Sequence, residues 1–449
     1  MHRPLNTLVL LCVVLLGTSA VAVRVFPSPG VKPPSHYDYC QANLEQDSLS
    51  AHLRNSTGEG YELVQVQVLF RHGDRTPLGQ IRKTPTYEDH NVWQCWADEL
   101  NNYALEQPVG HIASQIEIPR IFAKVYETGK EPLRGNCGLG ELTPKGVSQH
   151  NQLGAMFREL YVDQMGFLPE ELNTADIFIR AGDEERLLHS AQAQLRGLYP
   201  PASAPQSQVV QMVVRDSEWD NMTPNTNGCP ELAQLKNEAQ KSAAYKQHAD
   251  QGKQVDAMLK QQFQVSGLNK FDVVDLIRGQ RCHNLTGFSV LNAEQTEQVI
   301  DWEDVDFCWF PFDQPSYRIG IGSFIGDMWQ KALDAMNNEN PFKWVMWSGH
   351  DSSLVPVLRA MGIFDGYWPP YASHLVWELW RKNGEYYVYL HYNGATLTTP
   401  TCSVAMCPVK EFAAGISPII PTDIYNECVN RTQAQVFSST SLPGWKFNI

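Results

Sequence analysis

The sequence predicts an α/β protein, with a mixed central sheet flanked by helices and an inserted, mostly helical cap. Three observations carry this. Short apolar segments at 61–70, 176–181, 208–214 and 344–347 alternate with segments of helical spacing. From Trp219 to about Pro315 the chain becomes rich in Gln, Lys and Ala at helical spacing. The length of 449 residues exceeds the ~250 to 300 at which one core usually stops growing, so a main body with an insertion is expected.

In chain order, the elements begin with Tyr61-Glu-Leu-Val-Gln-Val-Gln-Val-Leu-Phe70, where period two sets Val64, Val66, Val68 and Phe70 on one face of a buried strand. Leu142-Thr143-Pro144 starts a helix, with Thr at the cap and Pro in the first turn, followed by Val147, Leu153, Met156, Phe157 and Leu160. Asp176 to Ala181 reads as a second strand, Glu184 to Leu198 as a helix and Gln208 to Val214 as a third strand. After the insertion come a helical stretch from Ile319 to Met336, a strand at 344–347 and a helix from Ser353 to Met361. A hairpin-like pair follows, His374 to Arg381 and Tyr386 to Tyr392. The expected organisation is therefore a signal peptide at 1–22, an irregular leader at 23–60, core at 61–218, cap at 219–315 and core again at 316–449.

Met1 to Arg3, the apolar run Leu8 to Leu16 and the triplet Ala20-Val21-Ala22 form a secretory signal with its cleavage site. An uncleaved signal anchor is the alternative, since apolar character continues to Val23. The expected location is secreted or lumenal, with no stable membrane insertion once the signal is cleaved. Asn55, Asn221, Asn284 and Asn430 head Asn-x-Ser/Thr triplets, each expected on the surface. Of ten cysteines, Cys12 leaves with the signal, so an odd thiol remains in an oxidising lumen. Thirty-five Lys and Arg against 49 Asp and Glu give a formal charge of -14, which works against general attraction to nucleic acid or anionic lipid. Any anion site must be built locally.

Arg71-His72-Gly73-Asp74-Arg75-Thr76-Pro77 follows the first strand directly, setting two guanidiniums around an imidazole at a strand's carboxyl end. Arg presents a fork of donors that matches phosphate oxygens. A neutral His72 ring nitrogen can attack phosphorus if those cations hold its pKa down. Ser348-Gly349-His350-Asp351 follows a second core strand, and Asp351 can protonate a leaving alkoxide, although it can equally be a helix cap. Arg180 ends a third strand and is expected to face the same cleft; Arg186, on the next helix, reads as a surface ion pair.

The motif R-H-G-x-R-x-P, an Arg after a middle strand and a late H-D resemble the histidine acid phosphatase family over roughly residues 61–430. The likeness includes Gly140-Glu-Leu-Thr-Pro-Lys-Gly146, Asn227-Gly-Cys-Pro230, Trp368-Pro-Pro-Tyr-Ala372 and Met406-Cys-Pro408. It implies a mixed α/β core with a helical cap, and hydrolysis of phosphate monoesters at acid pH through a phosphohistidine. By resemblance His72 is the nucleophile, Asp351 the acid, and Arg71, Arg75, Arg180 and His350 bind phosphate, with no cofactor and no metal. Ala181-Gly182 departs from the hydroxyl residues usual after the distal arginine, which bears on substrate preference. Segment lengths and the extra Cys95 and Cys137 favour the lysophosphatidate and xylose-phosphate branches over phytases, so the expected substrate is lysophosphatidate or a phosphorylated sugar. The resemblance also implies Cys229 with Cys428 and Cys402 with Cys407; elimination leaves Cys282 with Cys308, Cys95 with Cys137, and Cys40 unpaired.

Three other readings are weaker. A silent phosphate-binding relative should lack the nucleophile or the acid, and both are present. A phosphohistidine mutase fits neither the secretory signal nor the H-D pair. A zinc hydrolase lacks H-E-x-x-H, and the thirteen histidines show no ligand spacing. The expected partner is a small phosphomonoester; the oligomeric state stays open, with a homodimer among the options.

Overall fold

The computed structural model describes residues 37–44, 57–95, 126–127, 129–200, 209–309, 314–339 and 342–429. The signal segment, most of the leader, Asn55 and Asn430 lie outside them. Among the described residues, seven strands form one sheet: β1 (Glu62–Arg71), β2 (Ile177–Ala181), β3 (Trp344–Gly349), β4 (His374–Lys382), β5 (Glu385–Tyr392), β6 (Ala395–Leu397) and β7 (Cys407–Pro408). The order is β2-β3-β1-β4-β5-β6, with β7 pairing β5. β2, β3 and β1 are parallel, whereas β4 runs antiparallel to β1 and starts the β4–β5 hairpin. The sheet is therefore mixed, as expected.

Both faces of the sheet are buried. Val66, Val68 and Phe70 meet Leu153 and Phe157 of α1 (Pro144–Phe157) and Leu195 of α2 (Glu185–Leu198). Leu69, Val345 and Trp347 pack on the opposite face in the cluster that contains Phe324, Ile325 and Met328. The polar residues of β1 are buried too: Gln67 donates to the Met328 carbonyl (2.9 Å) and accepts from the Trp347 indole (3.1 Å). These bonds meet the cost of burying an amide. One strand residue departs from the period-two reading. The register shifts between Leu63 and Gln65, so Leu63 joins Val66 while Val64 packs on the other face.

The third predicted strand is also corrected. Among its described residues only Val213 pairs, as a single parallel bridge to Arg180 at the outer edge of β2. Val209, Val213 and Val214 remain exposed there.

The segment between β2 and β3 that the sequence marks as an insertion carries the helices α3 (Pro230–Ala239), α4 (Ala243–Phe263), α5 (Lys270–Cys282) and α6 (Ala293–Trp309). Val255, Leu259, Phe263, Leu276, Ile277 and Val299 form an apolar cluster of their own, joined by Ile81 and Tyr87 from the loop after β1. The chain returns through α7 (Gln314–Gly320) and α8 (Gly322–Asn337) to β3 and α9 (Asp351–Ala360), and ends its described part with α10 (Val409–Ile416) and α11 (Ile424–Cys428). No helix among the described residues is long and apolar enough to cross a membrane.

Cys95–Cys137, Cys229–Cys428 and Cys402–Cys407 pair as expected. The other two expectations fail. Cys40 is bonded to Cys282, and among the described residues Cys308 is the free, buried thiol. Cys282 ends α5 beside α1, where Lys145 donates to its carbonyl (2.6 Å) and Gln149 donates to that of Cys40 (2.6 Å). Cys308 lies instead in the core with Phe364 and Trp368. A digest of the non-reduced protein should yield a Cys40–Cys282 peptide, and Cys308 should alkylate only on unfolding; a Cys282–Cys308 peptide would contradict this arrangement.

Candidate active site

Parallel register builds the site. Arg71 pairs with Gly349, so His72 and His350 are the next residues after two adjacent strand ends, with ring centroids 5.6 Å apart. The His72 N–H donates to the Gly349 carbonyl (3.0 Å). The loop then passes close to the start of α1: a Cβ on Gly73 would lie 2.5 Å from the Gly146 oxygen, and one on Gly146 would lie 2.2 Å from that of Asp74. Only glycine fits at either position. Gly73 N–H donates to Ser190 of α2 (3.1 Å), and buried Asp74 accepts from Thr143 (2.5 Å) while pairing with His283 (2.5 Å).

The His72 ring is buried, and its Nδ1 lies 2.8 Å from the Gly73 carbonyl. A carbonyl can only accept, so Nδ1 carries the proton and Nε2 keeps its lone pair. Burial, followed by the charges of Arg71, Arg186 and Arg75 and by His350, pushes the His72 pKa well below 6.5. The ring therefore stays neutral, with a free lone pair on Nε2, below its ordinary titration range.

Each cation around it has a carboxylate partner. Arg71 pairs with Asp351 (2.8 Å), and Arg75 forms a two-pronged pair with Asp275 of α5 (3.0 and 2.9 Å). Arg186 pairs with Glu184, whose other oxygen lies 3.4 Å from His350 Nε2. The Nε atoms of Arg71, Arg75 and Arg186 are buried with no hydrogen-bond partner. Arg180 Nε is orphaned as well, and the first three belong to the arginines whose charges reach His72.

Asp351 opens α9. Its Oδ1 accepts the Ser352 N–H (2.8 Å), and its Oδ2 accepts the Trp368 indole N–H (2.8 Å) as well as pairing with Arg71. Burial raises its pKa, but Arg71, the Trp368 bond, His350 and Arg75 outweigh that and hold it below the usual carboxylate range. Asp351 is therefore ionised at rest. Burial likewise raises Glu184, yet its bond to His350 and the charges of His350, Arg186 and Arg75 bring it down to about 2.

His72, Arg71, Arg75, His350 and Asp351 thus come together. Arg180 does not join them. Paired with Trp347, it stands two residues short of the level of Arg71, and its guanidinium binds Asp327 (2.8 Å), Asp220 (2.7 Å) and Asn221 (2.6 Å). Its ends are held by Asp327, Asp220 and Asn221, and the third arginine whose charge reaches His72 is Arg186, assigned to the surface on sequence alone. The signal for Arg186 was its place in the first turn of the helix after β2, at the same sheet edge. Glu184, Asp275 and Trp368 were also missed, and Trp368 lay inside a motif already noted. Asn221 is corrected as well. Its oxygen accepts from Arg180 and Arg215, and its amide nitrogen donates to Ser323 and Asp327, so it is a network residue rather than an open glycan acceptor; Asn284 is exposed.

Among the described residues, one cluster has metal-ligand spacing, Cys402, Cys407 and Glu411, and its two sulfurs are bonded to each other. The family profile of the histidine phosphatase superfamily, branch 2, matches residues 62–393. Counting factor 60 of Dictyostelium discoideum is 30% identical over 405 residues, covering 88% of this chain and 93% of that protein. Lysophosphatidic acid phosphatase type 6 of Mus musculus is 28% identical over 369 residues, covering 78% and 84%. Among solved structures, the phytase of Hafnia alvei in complex with tartrate superposes with a TM-score of 0.53 at 15% identity, covering 81% of this chain and 98% of that one, a likeness of fold. With its R-H-G loop and H-D pair set side by side in this fold, the chain belongs to the histidine phosphatase superfamily, branch 2, and is an acid phosphatase that hydrolyses phosphate monoesters.

Proposed function

We propose that hydrolysis proceeds in two steps through a phosphoryl group carried on His72 Nε2. The observation that carries this reading is the buried His72 ring, with Nδ1 tied to the Gly73 carbonyl and three arginines with unpartnered Nε atoms around it. The His72 lone pair attacks phosphorus, the N–P bond forms as the ester P–O bond breaks, and the leaving oxygen takes the Asp351 proton. Water then attacks phosphorus and passes its proton to the Asp351 carboxylate, and the bond pair returns to His72 as phosphate departs. Arg71, Arg75, Arg186 and His350 bind the phosphoryl oxygens, and the arginines supply the positive charge that stabilises the transition state.

Asp351 must hold a proton to act first, and at rest it is ionised. A phosphoryl dianion competes with Asp351 for Arg71 and adds negative charge beside it, and both changes raise its proton affinity. Lowering the pH also fills that proton, while His72 stays neutral because its pKa lies well below 6.5. Both effects favour turnover on the acid side.

The substrate in this reading is an alkyl phosphate, lysophosphatidate or a phosphorylated sugar, whose alkoxide needs a proton to leave. The mouse lysophosphatidic acid phosphatase, matched over most of both chains, supports that class. A secreted or lumenal location fits the four disulfides.

Asp351→Asn should slow an alkyl phosphate by about 10²- to 10⁴-fold while p-nitrophenyl phosphate, whose phenolate leaves unprotonated, stays within about tenfold. Equal loss on both esters with unchanged melting would mean that another group is the acid. Losing a charged hydrogen bond costs ~1.5–3 kcal/mol, so Arg186→Ala should raise the inhibition constant of inorganic phosphate roughly 10- to 150-fold. Arg180→Ala should leave that constant within about twofold and lower the melting temperature, because Asp220 loses its cation and Asp327 keeps only Arg215 of its two. The reverse pattern would return Arg180 to the phosphate site.

A further inference from the structure

Helix α5 reaches the catalytic groups at several points. Asp275 holds Arg75, Cys282 is bonded to Cys40, and His283, just beyond the helix end, pairs with Asp74. One residue on this helix, Arg278, has no place in the mechanism above. It is buried, ion-paired with Asp304 of α6, and carries an Nη1 with neither partner nor solvent.

Its surroundings give it a use. The guanidinium carbon lies 4.2 Å from the centre of the Tyr39 ring and 4.6 Å from that of Trp368. Those rings meet edge-on, 6.4 Å apart at 78°, and Arg278 occupies the corner between them. Phe307 of α6 stacks on Trp368 as well (3.8 Å, 9°). Each ring then holds one member of the catalytic ion pair. Trp368 donates its indole N–H to Asp351 Oδ2 (2.8 Å), and the Tyr39 hydroxyl accepts from Arg71 Nη2 (2.9 Å). A cation between two aromatic faces fixes both rings, because each ring's negative face is drawn to the same charge.

We propose that Arg278 is a positioning residue for the acid step, setting the Trp368 and Tyr39 rings that hold Asp351 and Arg71 at their working distance. This rests on Asp351 being the acid. Arg278 does not touch substrate; it acts through Trp368, so a helix between β2 and β3 contributes to the chemistry. A small misplacement of a proton donor slows the step that needs the proton and spares phosphate binding.

The test uses the full-length protein. Arg278→Leu alone would strand Asp304, so it is combined with Asp304→Asn. The double variant should lose about 10- to 100-fold in kcat/KM on an alkyl phosphate and about threefold or less on p-nitrophenyl phosphate, with the inhibition constant of inorganic phosphate within about threefold because Arg71 keeps its Pro369 and Asp351 partners. Arg278→Lys, which keeps the cation, should recover most of the loss. Trp368→Phe, which keeps a ring and removes the N–H, should show the same leaving-group contrast, and adding it to the Arg278 change should cost less than the product of the two losses. A folded double variant that is wild-type on both esters, or slowed equally on both, overturns the proposal, as does full additivity with Trp368→Phe. If Asp351→Asn shows the leaving-group contrast and the Arg278 variant does not, only this inference fails. If Asp351→Asn shows none, the acid assignment fails first.

Discussion

The parallel pairing of β1 with β3 sets Arg71 opposite Gly349, and every group of the site is placed relative to that pair. Because the strands run the same way, both chains leave the sheet at one end, where the nucleophile loop and the His350-Asp351 helix start meet. An antiparallel partner at this position would carry His350 to the far end. The loop after β1 can lie flat against α1 only because Gly73 and Gly146 face each other without side chains, and in that loop the Gly73 carbonyl accepts a hydrogen bond from His72 Nδ1–H. Backbone geometry therefore selects the tautomer that leaves Nε2 free.

The second constraint is electrostatic. In a chain of formal charge -14, a cluster of buried arginines persists because each has a carboxylate within reach: Asp351, Asp275 and Glu184 for the site, Asp304 for Arg278, Asp220 and Asp327 for Arg180. Burying such charges singly costs several kcal/mol per ion, roughly, and pairing offsets it. Arg71, Arg75, Arg186 and Arg180 each keep a buried Nε without a hydrogen-bond partner, and what sets the first three apart is that their charges reach His72. In the proposed mechanism the Arg71–Asp351 pair is the one that a phosphoryl dianion disturbs, which links substrate charge to acid protonation.

What the sequence made legible was whatever depends on short-range pattern. Period two marked β1, Thr143-Pro144 marked the start of α1, and the spacing R-H-G-x-R-x-P fixed a loop whose neighbours all follow from one strand end. Arg180 and Arg186 lie six positions apart in one segment, and local pattern favoured the one at the strand end. Their roles were decided by residues far along the chain, Asp220 and Asp327 for one and the His350-Glu184 contact for the other. The bulge that turns Val64 and the pairing of Cys40 with Cys282 were hidden for the same reason, since both depend on partners more than 200 residues away. Trp368 was visible as part of a motif, but its bond to Asp351 is a tertiary fact.

The central claim is that His72 carries the phosphoryl group. Mixing enzyme with labelled substrate and quenching within one turnover into alkaline denaturant, where a phosphoramidate survives, measures it directly. The label should be found on the peptide containing His72, should be released by acid, and should be absent from His72→Ala. Label on any other residue, or wild-type turnover by His72→Ala, would contradict the account.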